Sequence, residues 1–364
     1  MFSEHPSLVC AAIITAAGLA IPPMSDACTG ITLHSADGAT VPARTIEWSG
    51  DNIHSRYVVV PRGYEMQSYT PKGKTGMKFR SKYGYVGVAT DLPEFIADGL
   101  NEKGLSVGLF YFQYYGGYKP YDETKNATSV ADLQLVAYLL GECANLDDVR
   151  EAMKHVNVIG LDPSVATLHW RFTEASGKQM ILEIVDGELH FFDSKLGVLT
   201  NSPGYEWQIT NLNNYVNLYP GGANPQKIGE MDLRAFGGGS GFRGLPGDFT
   251  PPSRFVRAAF FSQTARQQPT AGATVRQAFQ ILNNFDIPIG AQWPMDKAVP
   301  ADLPSATQWT CASDVTNRRF YYRTMYNSAI RCFDVAAIDF ATVKFQINPL
   351  DDVTEQPVYM VPVK

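Results

Sequence analysis

The chain has 364 residues, of which 45% are hydrophobic, 18% are charged and 12% are aromatic, and its formal net charge is −6. This composition is typical of a globular protein with a sizeable core and excludes a disordered chain. The charges are spread along the sequence without a basic block, so no nucleic-acid partner is expected.

The first predicted element is an apolar N-terminal segment, residues 8–21, with the sequence LVCAAIITAAGLAI. It is shorter than the roughly 20 residues that span a bilayer and fits the apolar region of a signal peptide. Ser25 and Ala27 supply the small side chains that a signal peptidase requires at its cleavage site. The lysine or arginine residues that usually precede the apolar region of a signal peptide are missing. We nevertheless expect residues 1–27 to be a signal peptide. The mature protein would then be exported, periplasmic or secreted, with no stable membrane insertion.

Downstream of this segment, the period of the hydrophobic pattern changes several times. It predicts strands, then two helices, strands, two more helices, and strands again. The first two strands form a hairpin with its turn at Asp37-Gly38. This order suits two sheets that are stacked face to face and covered by helices, in one domain without an internal repeat.

Two pairs of helices interrupt the predicted strands. Helix-capping patterns begin at Ser129 and Asn145 in the first pair, and the second pair is expected near residues 253–266 and 273–284. Between the pairs, residues 201–252 are rich in Gly, Pro and Asn and predict a long loop. A loop of this length inside a compact domain usually serves a function.

Several familiar functional motifs are missing. No phosphate-binding glycine loop follows a predicted strand, and the six histidines have no metal-binding spacing, so we expect no nucleotide and no metal. The five cysteines form no C-x-x-C pair. Cys143 is expected to be a buried structural thiol, and Cys311 and Cys332 could stay free or form a disulfide in an oxidising compartment.

Cys28 follows the small-residue triplet Ser25-Asp26-Ala27, and three interpretations of this cysteine are open. It could be a buried strand thiol, a lipid-anchored cysteine, or the first residue of the mature protein. The lipid anchor is disfavoured because Ser25 and Asp26 fit a lipoprotein signal poorly. If cleavage follows Ala27, Cys28 gains a free α-amine, whose usual pKa of about 7.7–8.0 lets it accept the thiol proton. Nucleophile and base then belong to one residue, as in an N-terminal nucleophile hydrolase.

Four blocks of the sequence resemble the choloylglycine hydrolase and penicillin V acylase family, the linear amide C–N hydrolases. They are CTGITLHSADGATVPARTIEW, ADGLNEKGLSVGLFYF, LGVLTNSPGYEWQITNLNNYV and GGGSGFRGLPGDFTPPSRFVRAAF. The resemblance covers nearly all of residues 28–364, which would form one catalytic domain. It implies an α+β fold, the four-layer αββα sandwich of N-terminal nucleophile hydrolases, and an enzyme that needs no cofactor. Because family members are often homotetramers, a homotetramer is one assembly that it suggests.

The resemblance also assigns catalytic residues. Cys28 falls on the nucleophile, Arg44 on an arginine that poises the thiol, and Glu47 on an aspartate that orients the α-amine and the substrate amide. Asn201 falls on the asparagine that helps bind the oxyanion, and Arg254 falls on a second arginine beside the nucleophile. The longer carboxylate of Glu47 departs from the family pattern.

Tyr111 and Trp48 are the predicted substrate-pocket residues. Tyr111 occupies the position where bile-salt-cleaving members tend to have asparagine and penicillin V acylases have tyrosine, and its backbone N–H would complete the oxyanion hole. Trp48 resembles an aromatic pocket residue of some acylases. The resemblance therefore implies hydrolysis of a small-molecule acyl amide of the penicillin V type, with conjugated bile salts and N-acyl homoserine lactones as alternatives. An inactive exported binding protein on the same fold is the alternative of another class.

Overall fold

The computed structural model describes residues 27–49, 52–161 and 167–363. The predicted signal peptide lies outside these residues, apart from Ala27. None of the helices in the described part of the chain is long and apolar enough to span a membrane.

The strands and helices follow one another in the predicted general order. The strands are β1 Ala27–His34, β2 Thr40–Glu47, β3 Arg56–Val60, β4 Glu65–Gln67, β5 Lys78–Arg80, β6 Tyr85–Ala89, β7 Ile96–Asn101, β8 Ser106–Tyr111, β9 Ser129–Ala131, β10 Asn157–Ile159, β11 Leu168–Thr173, β12 Gln179–Val185, β13 Glu188–Asp193, β14 Gln226–Ile228, β15 Met231–Leu233, β16 Thr307–Asp314, β17 Arg319–Thr324, β18 Arg331–Asp334 and β19 Gln346–Pro349. The α-helices are α1 Leu135–Glu142, α2 Leu146–Ala152, α3 Tyr205–Asn211, α4 Pro251–Thr264 and α5 Ala271–Leu282.

Two antiparallel sheets form the centre of the fold. One has five strands in the order β1-β2-β16-β17-β18, and the other has eight strands in the order β13-β12-β11-β8-β7-β6-β3-β19. The sheets contact each other through β1 with β8 and through β7 with β16 and β17. Helices α4 and α5 pack on the five-stranded sheet, whereas α1 packs on β7 and β8 of the larger sheet and is joined there by α2. The predicted αββα sandwich is therefore confirmed.

The helix-capping prediction is correct for one helix and wrong for another. Asn145 precedes α2, and its side chain accepts a hydrogen bond from the Asp148 N–H. Ser129 instead begins β9, which pairs in parallel with β10, and its hydroxyl donates to the Lys125 carbonyl. A short 3-10 turn follows this strand, so α1 begins only at Leu135.

Residues 201–252 contain more regular structure than the predicted loop. They include α3 and a two-stranded ribbon that is formed by β14 and β15. Every residue of these two strands is exposed, among them the apolar side chains of Ile228 and Met231. The two helices predicted after this region are present as α4 and α5.

Cys143, Cys311 and Cys332 are free thiols. Cys143 is fully buried, as predicted for a structural thiol. Cys311 lies opposite Tyr322 of β17, whereas Cys332 lies opposite Tyr321 from the other side of that strand. Because neighbouring residues of a strand point to opposite faces, the two thiols lie on opposite faces of the sheet with β17 between them. A disulfide between them is therefore excluded in this fold.

Candidate active site

Cys28 is the second residue of β1, which is an edge strand of the five-stranded sheet. The β1–β2 ladder places Cys28 opposite Ile46 and Gly30 opposite Arg44. The Cys28 side chain is only 5% exposed and belongs to the core that the two sheets share. The candidate nucleophile therefore lies between the two sheets, where side chains of β2 and of the larger sheet can contact it.

Arg44 on β2 holds a positive charge against the Cys28 thiol. Its Nη2 donates to the Cys28 Sγ at 2.7 Å, and its Nη1 donates to the carbonyls of Ala97 and Leu109 in the larger sheet, at 3.2 and 2.6 Å. The guanidinium also lies over the Phe110 ring, 4.3 Å from its centroid. Since Arg44 is completely buried, these contacts fix both its position and its charge.

Arg254 and Asn201 hold the main chain of Cys28. Arg254, on α4, donates from Nη1 to the Cys28 carbonyl at 2.5 Å and from Nη2 to the Asn201 Oδ1 at 2.7 Å. The same Oδ1 accepts a hydrogen bond from the Cys28 nitrogen at 2.9 Å. The Asn201 Nδ2 donates to the Tyr111 carbonyl at 2.8 Å. Asn201 therefore connects the candidate nucleophile to both Arg254 and the end of β8.

The Cys28 nitrogen is a peptide nitrogen in this structure because Ala27 precedes it. Ala27 is fully buried, lies opposite Glu47 in the β1–β2 ladder and packs against Ile287 and Ala306. The nitrogen therefore stands in for the α-amine that Cys28 would have in a chain beginning at this residue.

Glu47 ends β2 with a carboxyl group that is 1% exposed. Neither of its side-chain oxygens has a hydrogen-bond partner among the described residues, so the predicted contact with the Cys28 nitrogen is not made while Ala27 is present. Burial raises the pKa of this carboxyl from 4.5 to about 8, although the Arg254 charge acts in the opposite direction. The carboxyl is therefore largely protonated at neutral pH in this form of the chain.

We expect Glu47→Gln to change how stability depends on pH in a chain that retains Ala27. Between pH 4.5 and about 8, the folded chain keeps the Glu47 proton that the unfolded chain has released. Raising the pH through this interval therefore lowers the free energy of unfolding, by about 1.4 kcal/mol for each pH unit. The contribution is complete below pH 4.5 and is lost above about 8.

Urea unfolding at about pH 5.5 and about pH 7.5 measures this difference. The slope of Glu47→Gln should be smaller than that of the wild type by the contribution of Glu47, while Asp98 and Asp132, whose pKa values burial raises to about 6 and about 7, keep their own contributions. The matched control is Glu65→Gln, which changes an exposed glutamate on a strand and should follow the wild type. Equal slopes for the wild type and Glu47→Gln would mean that the buried carboxyl is ionised in the folded chain.

The environment of Cys28 determines the protonation state of its thiol. Burial raises the pKa of the thiol, while the charges of Arg44 and Arg254 and a backbone hydrogen bond from Glu47 act in the opposite direction. The net direction is upward, so the thiol is protonated in this form of the chain. A base is therefore needed to produce the thiolate, which is the reactive form of cysteine.

Tyr111 and Trp48 form an aromatic pair at the edge of this site. Tyr111 ends β8 and Trp48 directly follows β2. Their ring centroids are 6.4 Å apart and the ring planes meet at 85°, which is an edge-to-face arrangement. Since the Asn201 side chain bonds both the Tyr111 carbonyl and the Cys28 nitrogen, the pair lies next to the candidate nucleophile.

Further buried polar residues beside the site were missed by sequence reasoning. Arg171 donates from Nη1 to the carbonyls of Ile31 and Ala43, and so bonds the larger sheet to β1 and β2. His169 and Glu183 are also buried and contact each other. The available signal was polar residues inside two strand-like runs, His169 and Arg171 in one and Glu183 in the other, and that pattern belongs to no recognisable motif.

The fold and the site together define a class of protein. A four-layer αββα sandwich with a cysteine at the start of an edge strand is the architecture of the N-terminal nucleophile hydrolases. Residues 28–355 match the model of the linear amide C–N hydrolases, choloylglycine hydrolase family. The chain belongs to this family, so the predicted family and enzyme class are confirmed.

The relatives include a bile salt hydrolase and a penicillin V acylase. A bile salt hydrolase/transferase of Clostridium perfringens is 32% identical over 317 residues, which cover 85% of this chain and 92% of that enzyme. A penicillin V acylase of Pectobacterium atrosepticum is 26% identical over 92% of this chain and 88% of that enzyme.

Solved structures support the same fold. A variant of the conjugated bile acid hydrolase from Clostridium perfringens matches with a TM-score of 0.79 at 27% identity, over 92% of this chain and 100% of that chain. The penicillin V acylase from Agrobacterium tumefaciens matches with a TM-score of 0.70 at 20% identity, over 89% of this chain and 92% of that chain, and shows the fold alone.

Proposed function

We propose that the chain hydrolyses the amide bond of glycine- or taurine-conjugated bile acids, with Cys28 as the nucleophile. The observation that carries the proposal is the higher sequence identity to the bile salt hydrolase of Clostridium perfringens than to the penicillin V acylase of Pectobacterium atrosepticum. This favours the bile-salt alternative over the penicillin V type that the sequence blocks and Tyr111 suggest.

Catalysis begins once Cys28 is the first residue. Its nitrogen is then an α-amine, and the neutral amine accepts the thiol proton as Sγ attacks the acyl carbonyl. The Arg44 Nη2, which donates to this sulfur at 2.7 Å, stabilises the thiolate. The amine and the arginine together overcome the effect of burial on the thiol.

The attack converts the acyl carbonyl oxygen into an oxyanion. The Asn201 Nδ2 carries two N–H groups, of which one donates to the Tyr111 carbonyl. The second N–H donates to the oxyanion, and the Tyr111 backbone N–H is the other predicted donor. The Cys28 ammonium then protonates the leaving nitrogen, which departs as glycine or taurine. Water hydrolyses the remaining thioester, releases the bile acid and restores the thiol.

Glu47 takes part in catalysis once Ala27 has been removed and Cys28 is the first residue. Its carboxyl is largely protonated while Ala27 lies opposite it in the ladder. Removing Ala27 places an α-ammonium near the vacated position, and a positive charge favours the ionised carboxylate. The carboxylate can then accept a hydrogen bond from the ammonium and orient it towards the leaving nitrogen.

A second candidate is the hydrolysis of aryl-acyl amides such as penicillin V. The contact between Tyr111 and Trp48 favours it, because an edge-to-face aromatic pair offers an apolar surface to a flat phenoxy ring. A rigid sterol needs more space beside the same rings.

Steady-state kinetics on one preparation of the mature protein compare these substrates. We expect kcat/KM for glycocholate to exceed that for penicillin V and for an N-acyl homoserine lactone by at least about tenfold, which is about 1.4 kcal/mol of transition-state binding. Tyr111→Asn exchanges the ring for a small amide and should increase this preference.

The opposite ranking identifies the second candidate. A higher kcat/KM for penicillin V, reduced by Tyr111→Asn, would contradict the bile-salt proposal and support an aryl-acyl amidase. A mature chain that begins at Cys28 and turns over none of the three amides would instead support the inactive binding protein.

A further inference from the structure

One buried pair of side chains holds both ends of the segment that carries Asn201. This segment, residues 200–205, connects the edge of β1 to α3. His169, on β11, contacts the Thr200 carbonyl through Nε2 at 3.1 Å. Glu183, on the neighbouring strand β12, accepts a hydrogen bond from the Tyr205 N–H at 2.8 Å through Oε1. The two side chains meet at 3.2 Å, between His169 Nδ1 and the same Oε1.

The hydrogen bonds of His169 fix its ring in one orientation. The ring is 0% exposed and stacks on Phe112, with centroids 4.5 Å apart and planes 7° from parallel. A carbonyl oxygen can only accept, so the Nε2 that faces Thr200 carries a hydrogen. Glu183 Oε1 accepts the Tyr205 N–H and also lies 3.2 Å from His169 Nδ1, so Glu183 holds the other side of the ring. The imidazole is thus a rigid connection between Glu183 and Thr200.

Thr200 links this connection to two residues of the candidate site. It directly precedes Asn201, and its hydroxyl donates to the Pro251 carbonyl at 3.1 Å. Pro251 begins α4, the helix that presents Arg254 to the Asn201 Oδ1. A shift of the Thr200 main chain therefore moves the Asn201 amide relative to Cys28.

We infer that His169 and Glu183 are positioning residues, which hold the Asn201 amide where the oxyanion forms. They act through Thr200, since neither side chain bonds to Cys28. The inference rests on the oxyanion role proposed above for Asn201. It is independent of which acyl amide the enzyme prefers. A displacement of about 1 Å in such a group can cost about 100-fold in rate.

Two substitutions at His169 separate the contact with Thr200 from the contact with Glu183. A glutamine amide reaches the place of Nε2 and can still donate to Thr200, whereas an asparagine amide reaches only the place of Nδ1. We expect His169→Asn to lower kcat by about 10- to 100-fold with KM within about threefold of the wild type. His169→Gln should keep kcat within about fivefold. An effect on kcat alone is expected because the oxyanion exists only in the transition state and intermediate.

Phe172→Leu is the matched control for a loss of stability. Phe172 is a fully buried residue of the same strand, and its side chain points to the opposite face from His169. This variant should lower the thermal unfolding midpoint and leave kcat unchanged. The alkylation of Cys28 by iodoacetamide forms no oxyanion, so its rate in His169→Asn should stay within about twofold of the wild type.

Three kinetic results would overturn the inference. The first is a wild-type kcat in folded His169→Asn. The second is an equal loss of kcat in His169→Asn, His169→Gln and Phe172→Leu, which would indicate a structural role alone. If His169→Asn does not fold, Glu183→Ala, which removes the acceptor for the Tyr205 N–H and for His169, replaces it, and a wild-type kcat there is the third.

A crystal structure of His169→Asn allows the positioning role to be tested even if the proposed function is wrong. If the wild type hydrolyses penicillin V rather than glycocholate, the same kinetics are measured with penicillin V. If it hydrolyses neither, the structure of His169→Asn decides the question. A displaced Asn201 supports the inference, and an Asn201 that keeps its bonds to Cys28 and Arg254 overturns it.

Discussion

Replacing Cys28 with serine is expected to lower kcat by at least about 1,000-fold while the fold is retained. A serine hydroxyl is far less acidic than a thiol, so an α-amine cannot activate it at neutral pH, and removing a catalytic nucleophile can cost roughly 10⁶ in kcat. Serine is nearly isosteric with cysteine and can still accept the hydrogen bond from Arg44. The thermal unfolding midpoint should therefore change little.

The measurements are kcat on the preferred amide and the unfolding midpoint of each variant. Cys332→Ser is the control, because this thiol is free and exposed and lies outside the candidate site. It should match the wild type in both measurements. Comparable activity of Cys28→Ser and the wild type would show that another group is the nucleophile.

The second large effect on activity is expected when Ala27, the residue that precedes Cys28, is retained. A form that retains Ala27 should have less than about 1% of the activity of the form that begins at Cys28. A peptide nitrogen cannot accept the thiol proton, and general base catalysis typically contributes about 10²- to 10⁴-fold. Ala27 is also fully buried beside Glu47, where the amine is needed.

We propose that this residue is removed on export, together with the rest of the signal peptide. Intact-mass analysis of the active, exported fraction should give a chain that begins at Cys28 with a free amine and no lipid. The comparison form carries an uncleavable extension that ends in Ala27. Equal activity of the two forms, an N-terminus at another residue, or a diacylglycerol on the cysteine would contradict the proposed mechanism.

The layers of the fold could be predicted from sequence because each depends on a local pattern. The Asn145 cap is made within its own helix, and its sequence pattern is sufficient to predict it. The similar pattern at Ser129 fails, because a partner strand that begins at Asn157 pairs with this segment and draws it into a sheet. Within 201–252, the short ribbon and α3 have no strong hydrophobic period, so the composition indicated only a loop.

The candidate site depends on contacts between distant parts of the chain. The hydrogen bond between Cys28 and Asn201 joins residues 173 positions apart, and only the family resemblance linked them in advance. The unpartnered carboxyl of Glu47 and the connection made by His169 follow from burial against other strands. Residue type and spacing carry no information about either.

Beside the candidate nucleophile, at Cys28 and Gly30, the edge of β1 is closed to an incoming main chain. The N–H and carbonyl of Gly30 both bond to Leu199, at 2.7 and 3.2 Å, and the corresponding groups of Cys28 bond to Asn201 and Arg254. Enzymes and domains that bind extended peptides commonly do so by adding the peptide as a strand to a free sheet edge. Here the protein itself occupies the edge that carries the nucleophile. A peptide would find no backbone partners at these two positions, so a substrate that reaches the nucleophile is held by contacts other than the addition of a strand.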